Sequence, residues 1–174
     1  MSVLADYPGF RGSPLEVRRV TGAVTVPVLF KEFVLESRQV MLAQAMGASM
    51  VLLLVRALPK AKLHELITAC RALGLEPVVE AADHAEVVTA LETDATIVGV
   101  NARDLRTFVL DVEGAARAVA AIPKDRVAVF MSGIRSDADF RIIAETRADA
   151  VLVGEGLARE GDPASCLRRW LEVR

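Results

Sequence analysis

The feature that most constrains this chain is a recurrence. Short apolar runs rich in β-branched residues return along its whole length, at Ser2–Leu4, Pro27–Phe33, Met50–Val55, Glu76–Ala81, Thr96–Val100, Val127–Met131 and Asp149–Val153. From Pro27 onward their starts lie 20 to 31 residues apart, room for one strand, one helix and two short loops. Runs such as 51–55, Val-Leu-Leu-Leu-Val, do not alternate with polar residues. That pattern marks strands buried on both faces, as in a parallel sheet covered by helices.

The segments between the runs carry helix signals. Residues 36–46 place Val40, Leu42, Ala43 and Met46 at helical spacing, with Gly47 as a stop. Residues 59–73 open with a proline in the expected first turn and close at Gly74. Asp83 and Ser136 stand as N-caps before 85–92 and 137–146. The last helix is predicted over 162–173, with Leu167, Trp170 and Leu171 on one face. No linker or low-complexity stretch divides the chain, so a single domain over residues 1–174 is expected.

Composition narrows the function classes. Of 174 residues 53% are apolar and 25% charged, and 21 Lys plus Arg stand against 23 Asp plus Glu. A chain of this size buries roughly 70% of its unfolded surface, and one this apolar offsets its ordering entropy. The near balance of charge argues against a nucleic-acid footprint. The longest strongly apolar stretch, 46–55, is too short for a bilayer, and no leader pattern opens the chain. Cys70 and Cys166 are far apart and lack metal-ligand spacing. A cytoplasmic protein with no metal held by its cysteines, no nucleic-acid partner and no membrane partner is expected.

Alternating strands and helices leave an open doubly wound sheet or a closed barrel. Polar residues at the strand ends decide between them: Lys31 and Glu32, Arg56, Glu80, Asn101 and Arg103, Ser132, and Glu155. A ring of such groups suits a (β/α)8 TIM barrel, whereas an open sheet gathers its ligand groups at one switch point. A complete barrel takes about 250 residues. Seven strands in a shorter chain therefore predict an incomplete barrel lacking one N-terminal β/α unit. Open sheet edges would then favour self-association into a homo-oligomer.

Several of these residues can carry chemistry. Lys31 closes an apolar strand, where its ammonium is either a general acid or a solvated strand end. Glu80 follows Val78 and Val79 and is either a general base or a rim partner for Arg56. Asn101 and Arg103 share a parity, so both face a ligand if the strand extends that far; otherwise Asn101 and Asp104 satisfy a turn. Ser132, Gly133 and Gly154 follow the last two strands, a frequent phosphate position in barrels. His64 and His84 have no partner in sequence and are assigned to solvent.

With these residues in view, the chain resembles the indole-3-glycerol phosphate synthase family, (β/α)8 enzymes of tryptophan biosynthesis. The matching stretches are residues 2–6 with 10–13, then 27–33, 51–58, 75–80, 98–105, 132–135 and 149–157. The resemblance implies a carboxy-lyase that closes 1-(2-carboxyphenylamino)-1-deoxyribulose 5-phosphate into indole-3-glycerol phosphate without cofactor or metal. By position, Lys31 matches the general acid of ring closure and Glu80 the acid–base group of dehydration. Asn101 and Ser132 fall in the catalytic constellation, and Arg103 positions substrate. Gly133, Gly154 and Glu155 fall on the phosphate loops, and Phe10 and Phe33 line the pocket for the aromatic ring.

Two departures are visible. The family's opening Glu-x-Lys strand and Ser-Pro-Ser loop have no counterpart here. Met131 stands where the family has the glutamate of its Glu-Ser-Gly-Ile stretch. Losing such transition-state contacts costs on the order of 10²–10³-fold each. A barrel that binds a sugar phosphate without turnover, or serves as an assembly subunit, is the alternative reading. Another phosphate-binding barrel, such as phosphoribosylanthranilate isomerase, needs a Cys/Asp pair at strand ends, which neither cysteine supplies.

Overall fold

In the computed structural model, which describes residues 1–172, seven strands alternate with helices and every described strand pairing is parallel. This is the β/α repeat of a TIM barrel with seven strands. The chain packs as two compact units. The first comprises Met1–Glu80 and Thr89–Ile97, the second Ala81–Val88 and residues 98–172.

The first unit holds β1 (Ser2–Leu4), β2 (Leu29–Lys31), β3 (Met50–Leu54) and β4 (Glu76–Ala81, its last residue in the second unit). Neighbours in sequence are neighbours in the sheet, because each helical crossover returns the chain one strand along. Four of the five residues of β3 are buried, as its unalternated pattern predicts. Four helices serve this unit: α1 (Tyr7–Phe10), α2 (Pro14–Thr21), α3 (Ser37–Ala45) and α4 (Lys60–Ala72). Val40 and Ala43 of α3 and Leu63, Leu66, Ile67 and Cys70 of α4 are buried, at the three- and four-residue spacing of an inward face. Each buried leucine contributes about 1.5–3 kcal/mol.

Local chemistry sets the boundaries. Gly47 and Gly74 take left-handed φ of 80° and 71°, stopping α3 and α4 where the sequence puts stops. Pro59 is not in the first turn of α4 as expected. Its ψ of 146° is extended, and its carbonyl accepts from the Lys62 and Leu63 amides, so it caps the helix from outside. A 3-10 turn over Val55–Ala57 occupies the residues between β3 and that cap. The pattern also passed over α1 and α2, short helices opened by Asp6 and Ser13 with prolines in their first turns.

From α5 (His84–Leu91), which straddles the two units, the chain runs into the second, with β5 (Ile97–Asn101, its first residue in the first unit), β6 (Val127–Met131) and β7 (Ala150–Leu152). Its helices are α6 (Val112–Ala120), α7 (Asp137–Ala144), α8 (Glu155–Ala158) and α9 (Pro163–Leu171). The expected caps are in place: Asp83 accepts from the Glu86 amide and Ser136 from that of Asp139. His64 and His84 are exposed, as assigned.

The predicted apolar face of the last helix is corrected. Of the three residues expected on it only Trp170 is buried, beside Cys166, while Leu167 and Leu171 are exposed. Trp170 stacks on Phe140 at 5.3 Å, and its Nε1 donates to Asp137 Oδ1 at 2.7 Å, which fixes the rotation of α9. The predicted end of that helix at Val173 lies outside the described residues. Among the described residues no helix is long and apolar enough to cross a membrane.

Candidate active site

Register builds the first unit's part of the site. Lys31 continues the row Leu29↔Met50, Phe30↔Val51, which places it level with Leu52, while β3 and β4 pair Leu52↔Val78 and Leu54↔Glu80. Since side chains two apart share a face, Lys31 and Glu80 project on the same side, with β3 between them. The long lysine stem spans that strand, and Nζ donates to Glu80 Oε2 at 3.2 Å. The lysine side chain is 22% exposed and the glutamate 4%. An ammonium held against a buried carboxylate at a strand end can give a proton to a bound carbonyl oxygen and receive one back.

Phe10, the last residue of α1, and Phe33, two residues past β2, stack with centroids 6.4 Å apart and planes 25° apart. Arg11 takes a left-handed φ of 53°, and its amide bonds back to the Tyr7 carbonyl, ending α1 so that Phe10 turns toward Phe33. Glu32 lies between Lys31 and Phe33, with its carboxylate accepting from the Phe33 amide. Burial pushes the Glu32 carboxyl above the usual carboxylate range, with the Asp6 charge adding to the rise. Arg56 is exposed in the 3-10 turn after β3.

The second unit assembles its own group. Asn101 is the last residue of β5 and is 6% exposed; its Oδ1 accepts from the Arg103 amide at 3.0 Å. The shared parity expected for Asn101 and Arg103 does not extend that far. The strand stops at Asn101, and Arg103 instead forms an antiparallel bridge with Leu110. Asp104 satisfies the Arg106 and Thr107 amides, so this loop is also the turn that the structural reading anticipated. The Arg103 guanidinium nevertheless reaches Glu155, the first residue of α8, and forms an ion pair with it. That hydrogen bond, then the charges of Arg103, Arg159 and Arg135, hold the Glu155 carboxyl below its usual range.

Ser132 and Gly133 follow β6 in successive left-handed conformations, φ 67° and 82°. For serine this is a rarely adopted region, and strain of this kind gathers at functional loops. The Ser132 amide donates to the Leu152 carbonyl of β7, which locks the turn to its neighbour. A Cβ on Gly133 would come within 3.1 Å of Val112. Gly154 differs: a Cβ there would meet open space. The tight approach lies two residues on, where a Cβ on Gly156 would be 2.3 Å from the Ile134 carbonyl oxygen. The sequence reading passed over Gly156. The signal was present, since a second glycine stands two residues after Gly154, within the first turn of α8.

Comparison with known proteins agrees with the sequence resemblance. The family model described as indole-3-glycerol phosphate synthase matches residues 1–170. Indole-3-glycerol phosphate synthase 2 of Streptomyces coelicolor is 43% identical over 97% of this chain and 65% of its own length. The indole-3-glycerol phosphate synthase of Mycolicibacterium vanbaalenii is 41% identical over 96% of this chain and 61% of its own. The chain thus spans a little under two thirds of these curated relatives. Among solved structures, one described as native KDPGal has a TM-score of 0.67 at 16% identity, covering 99% of this chain and 81% of its own. The N-acetylmannosamine-6-phosphate 2-epimerase of Clostridium perfringens has a TM-score of 0.67 at 12% identity, covering 91% and 75%. These two share the fold alone. On the strength of the family match and of relatives above 40% identity, the chain belongs to the indole-3-glycerol phosphate synthase family.

Proposed function

We propose that this chain carries the indole-3-glycerol phosphate synthase reaction, the cyclising decarboxylation of 1-(2-carboxyphenylamino)-1-deoxyribulose 5-phosphate. The observation that supports it most is the 3.2 Å contact between Lys31 and the buried Glu80. In this reading Lys31 gives a proton to the substrate carbonyl oxygen as the ring carbon bearing the carboxylate attacks the carbonyl carbon. The bond to the carboxylate then breaks, carbon dioxide leaves, and its electron pair restores the aromatic ring. Dehydration expels the new hydroxyl as water, with Glu80 handling the proton in that step. Phe10 and Phe33 flank the aromatic ring. In the second unit, Asn101, Arg103 and Ser132 position polar groups of the substrate, while Gly133, Gly154 and Glu155 lie on the loops that receive its phosphate. The protein is expected in the cytoplasm.

Incubation with the carboxyphenylamino substrate tests this through the fluorescence of the indole product. Product that disappears in Lys31→Ala supports the assignment; undiminished turnover in that variant removes Lys31 from its role. Self-association is proposed alongside, because β1 and β7 each have one sheet neighbour among the described residues and leave a strand edge open. Light scattering that returns only monomer would refute it.

A second reading is favoured by one observation. Met131, 1% exposed, stands where the family glutamate would be and offers no proton and only a weak thioether acceptor. A chain that binds phosphate with calorimetric heat, yet makes no product at high protein concentration, would establish that reading instead.

A further inference from the structure

Two guanidiniums of the second unit pair with one carboxylate, and a third adds its charge. Arg103 comes from the loop after β5, Arg135 from the loop after β6, and Arg159 caps the C-terminus of α8 after β7. Glu155 pairs with two of them at once: Oε2 takes the Arg103 guanidinium and Oε1 takes that of Arg159, the latter at 2.8 Å. Arg135 adds its charge at longer range. Positive charge exceeds negative in this cluster. The Arg103 and Glu155 side chains are 25% and 39% exposed, so an anion from solvent can reach the pair.

A guanidinium presents a planar fork that fits carboxylate and phosphate oxygens alike. The ion pair seen here is therefore the same interaction that a phosphate monoester would make with Arg103, made instead by the chain's own carboxylate. We propose that Glu155 is an internal counter-ion that occupies Arg103 in the empty protein and is displaced when a phosphate monoester binds. Glu155 then sets the affinity threshold: only an anion stronger than a single carboxylate takes the guanidinium. A dianionic phosphate meets that condition, whereas a monoanionic carboxylate of a non-phosphorylated analogue does not. This rests on the reading that these loops receive the substrate's phosphate, and it assigns Glu155 the part of a competitor rather than a ligand.

Calorimetry with inorganic phosphate at low ionic strength separates the two parts. Glu155→Gln is expected to tighten phosphate binding about two- to fivefold, the span of a half-exposed ion pair. Glu113→Gln removes the same charge from α6 and is expected to change it less than the Glu155 substitution does. Adding Arg103→Gln to Glu155→Gln is expected to abolish the gain. Unchanged or weakened binding in Glu155→Gln overturns the proposal. So does an equal gain in Glu113→Gln, a gain that survives loss of Arg103, or the absence of phosphate binding in every variant. Turnover is not the readout, so an inactive chain that shows the gain leaves the counter-ion role standing and strikes only the proposed reaction.

Discussion

The Met131 side chain lies across the backbone of Gly99, filling the space that any Cβ at that position would need. A Cβ built on Gly99 would stand 2.2 Å from Met131 Cε and 2.9 Å from Sδ. Gly99 is two residues from Asn101, so both take the same face of β5. Glycine on one strand and an unbranched thioether on the next therefore complement each other beside Asn101. Gly99→Ala is expected to destabilise by about 1–3 kcal/mol through overpacking. Made in a Met131→Ala background, the same change should cost clearly less, because the colliding atoms are gone. Urea unfolding of the four proteins measures the coupling, and additive costs would refute the contact.

The Lys31–Glu80 pair sets stability against function. Lys31→Met leaves the buried carboxylate without its ammonium and is expected to lower stability by about 1–3 kcal/mol, less than for a fully buried pair because the lysine is partly exposed. Replacing both partners, Lys31→Met with Glu80→Leu, is expected to recover most of that loss, as apolar replacements of buried pairs generally do. The double variant should be folded and inactive. Denaturant midpoints read beside product formation distinguish this from a purely structural pair, for which activity would return along with stability.

The attachment of α9 is expected to depend on pH. Hydrogen bonds from Arg169 and then Trp170 hold the Asp137 carboxyl below its ordinary 3.8. A folded value depressed below the unfolded one contributes stability that is complete above the unfolded value. That contribution is lost as pH falls through the depressed one. Acidification below about pH 4 should therefore loosen α9. Trp170 is the sole tryptophan, so its emission reports the event directly. Asp137→Asn should show the loosened emission at neutral pH and lose the acid transition.

Phe108 is held at φ 58°, a left-handed conformation, and the residue is 57% exposed. Its amide bonds to the Asp104 carbonyl, and the Asp104 amide bonds to Val109, which closes the loop around it. A left-handed L residue costs about 1–2 kcal/mol, more than the flexibility glycine adds to the unfolded chain. Phe108→Gly is expected to raise stability by about 0.5–1 kcal/mol in thermal or urea unfolding.

Both cysteines are buried and free, and burial pushes the Cys70 thiol up to about 12. Neither should react with a thiol reagent at pH 8 until the chain unfolds. Labelling kinetics in increasing urea would follow the unfolding curve, and rapid labelling of the native protein would contradict the packing of α4 and α9.

The amino-acid sequence by itself determined the alternation of strands and helices, their parallel class, and most boundaries to within two residues. Each of those rests on neighbours in the chain: unbroken apolar runs, caps such as Asp83 and Ser136, and stops at Gly47 and Gly74. It also determined which residues stand at strand ends, and so the candidate roles of Lys31, Glu80 and Asn101. Where local signal was faint it misled or fell silent. The inward face of α6, Ala115, Ala118 and Val119, is made mostly of small alanines and was passed over, and the face of α9 turns on a contact with Asp137 33 residues away. Only tertiary structure decided which polar groups meet. Lys31 finds Glu80 across 49 residues because the register of β2, β3 and β4 puts them on one face. Arg103 finds Glu155 across 52 because its strand stops short and the chain folds back. Pairing across strands is fixed by register and packing, which no window of sequence contains.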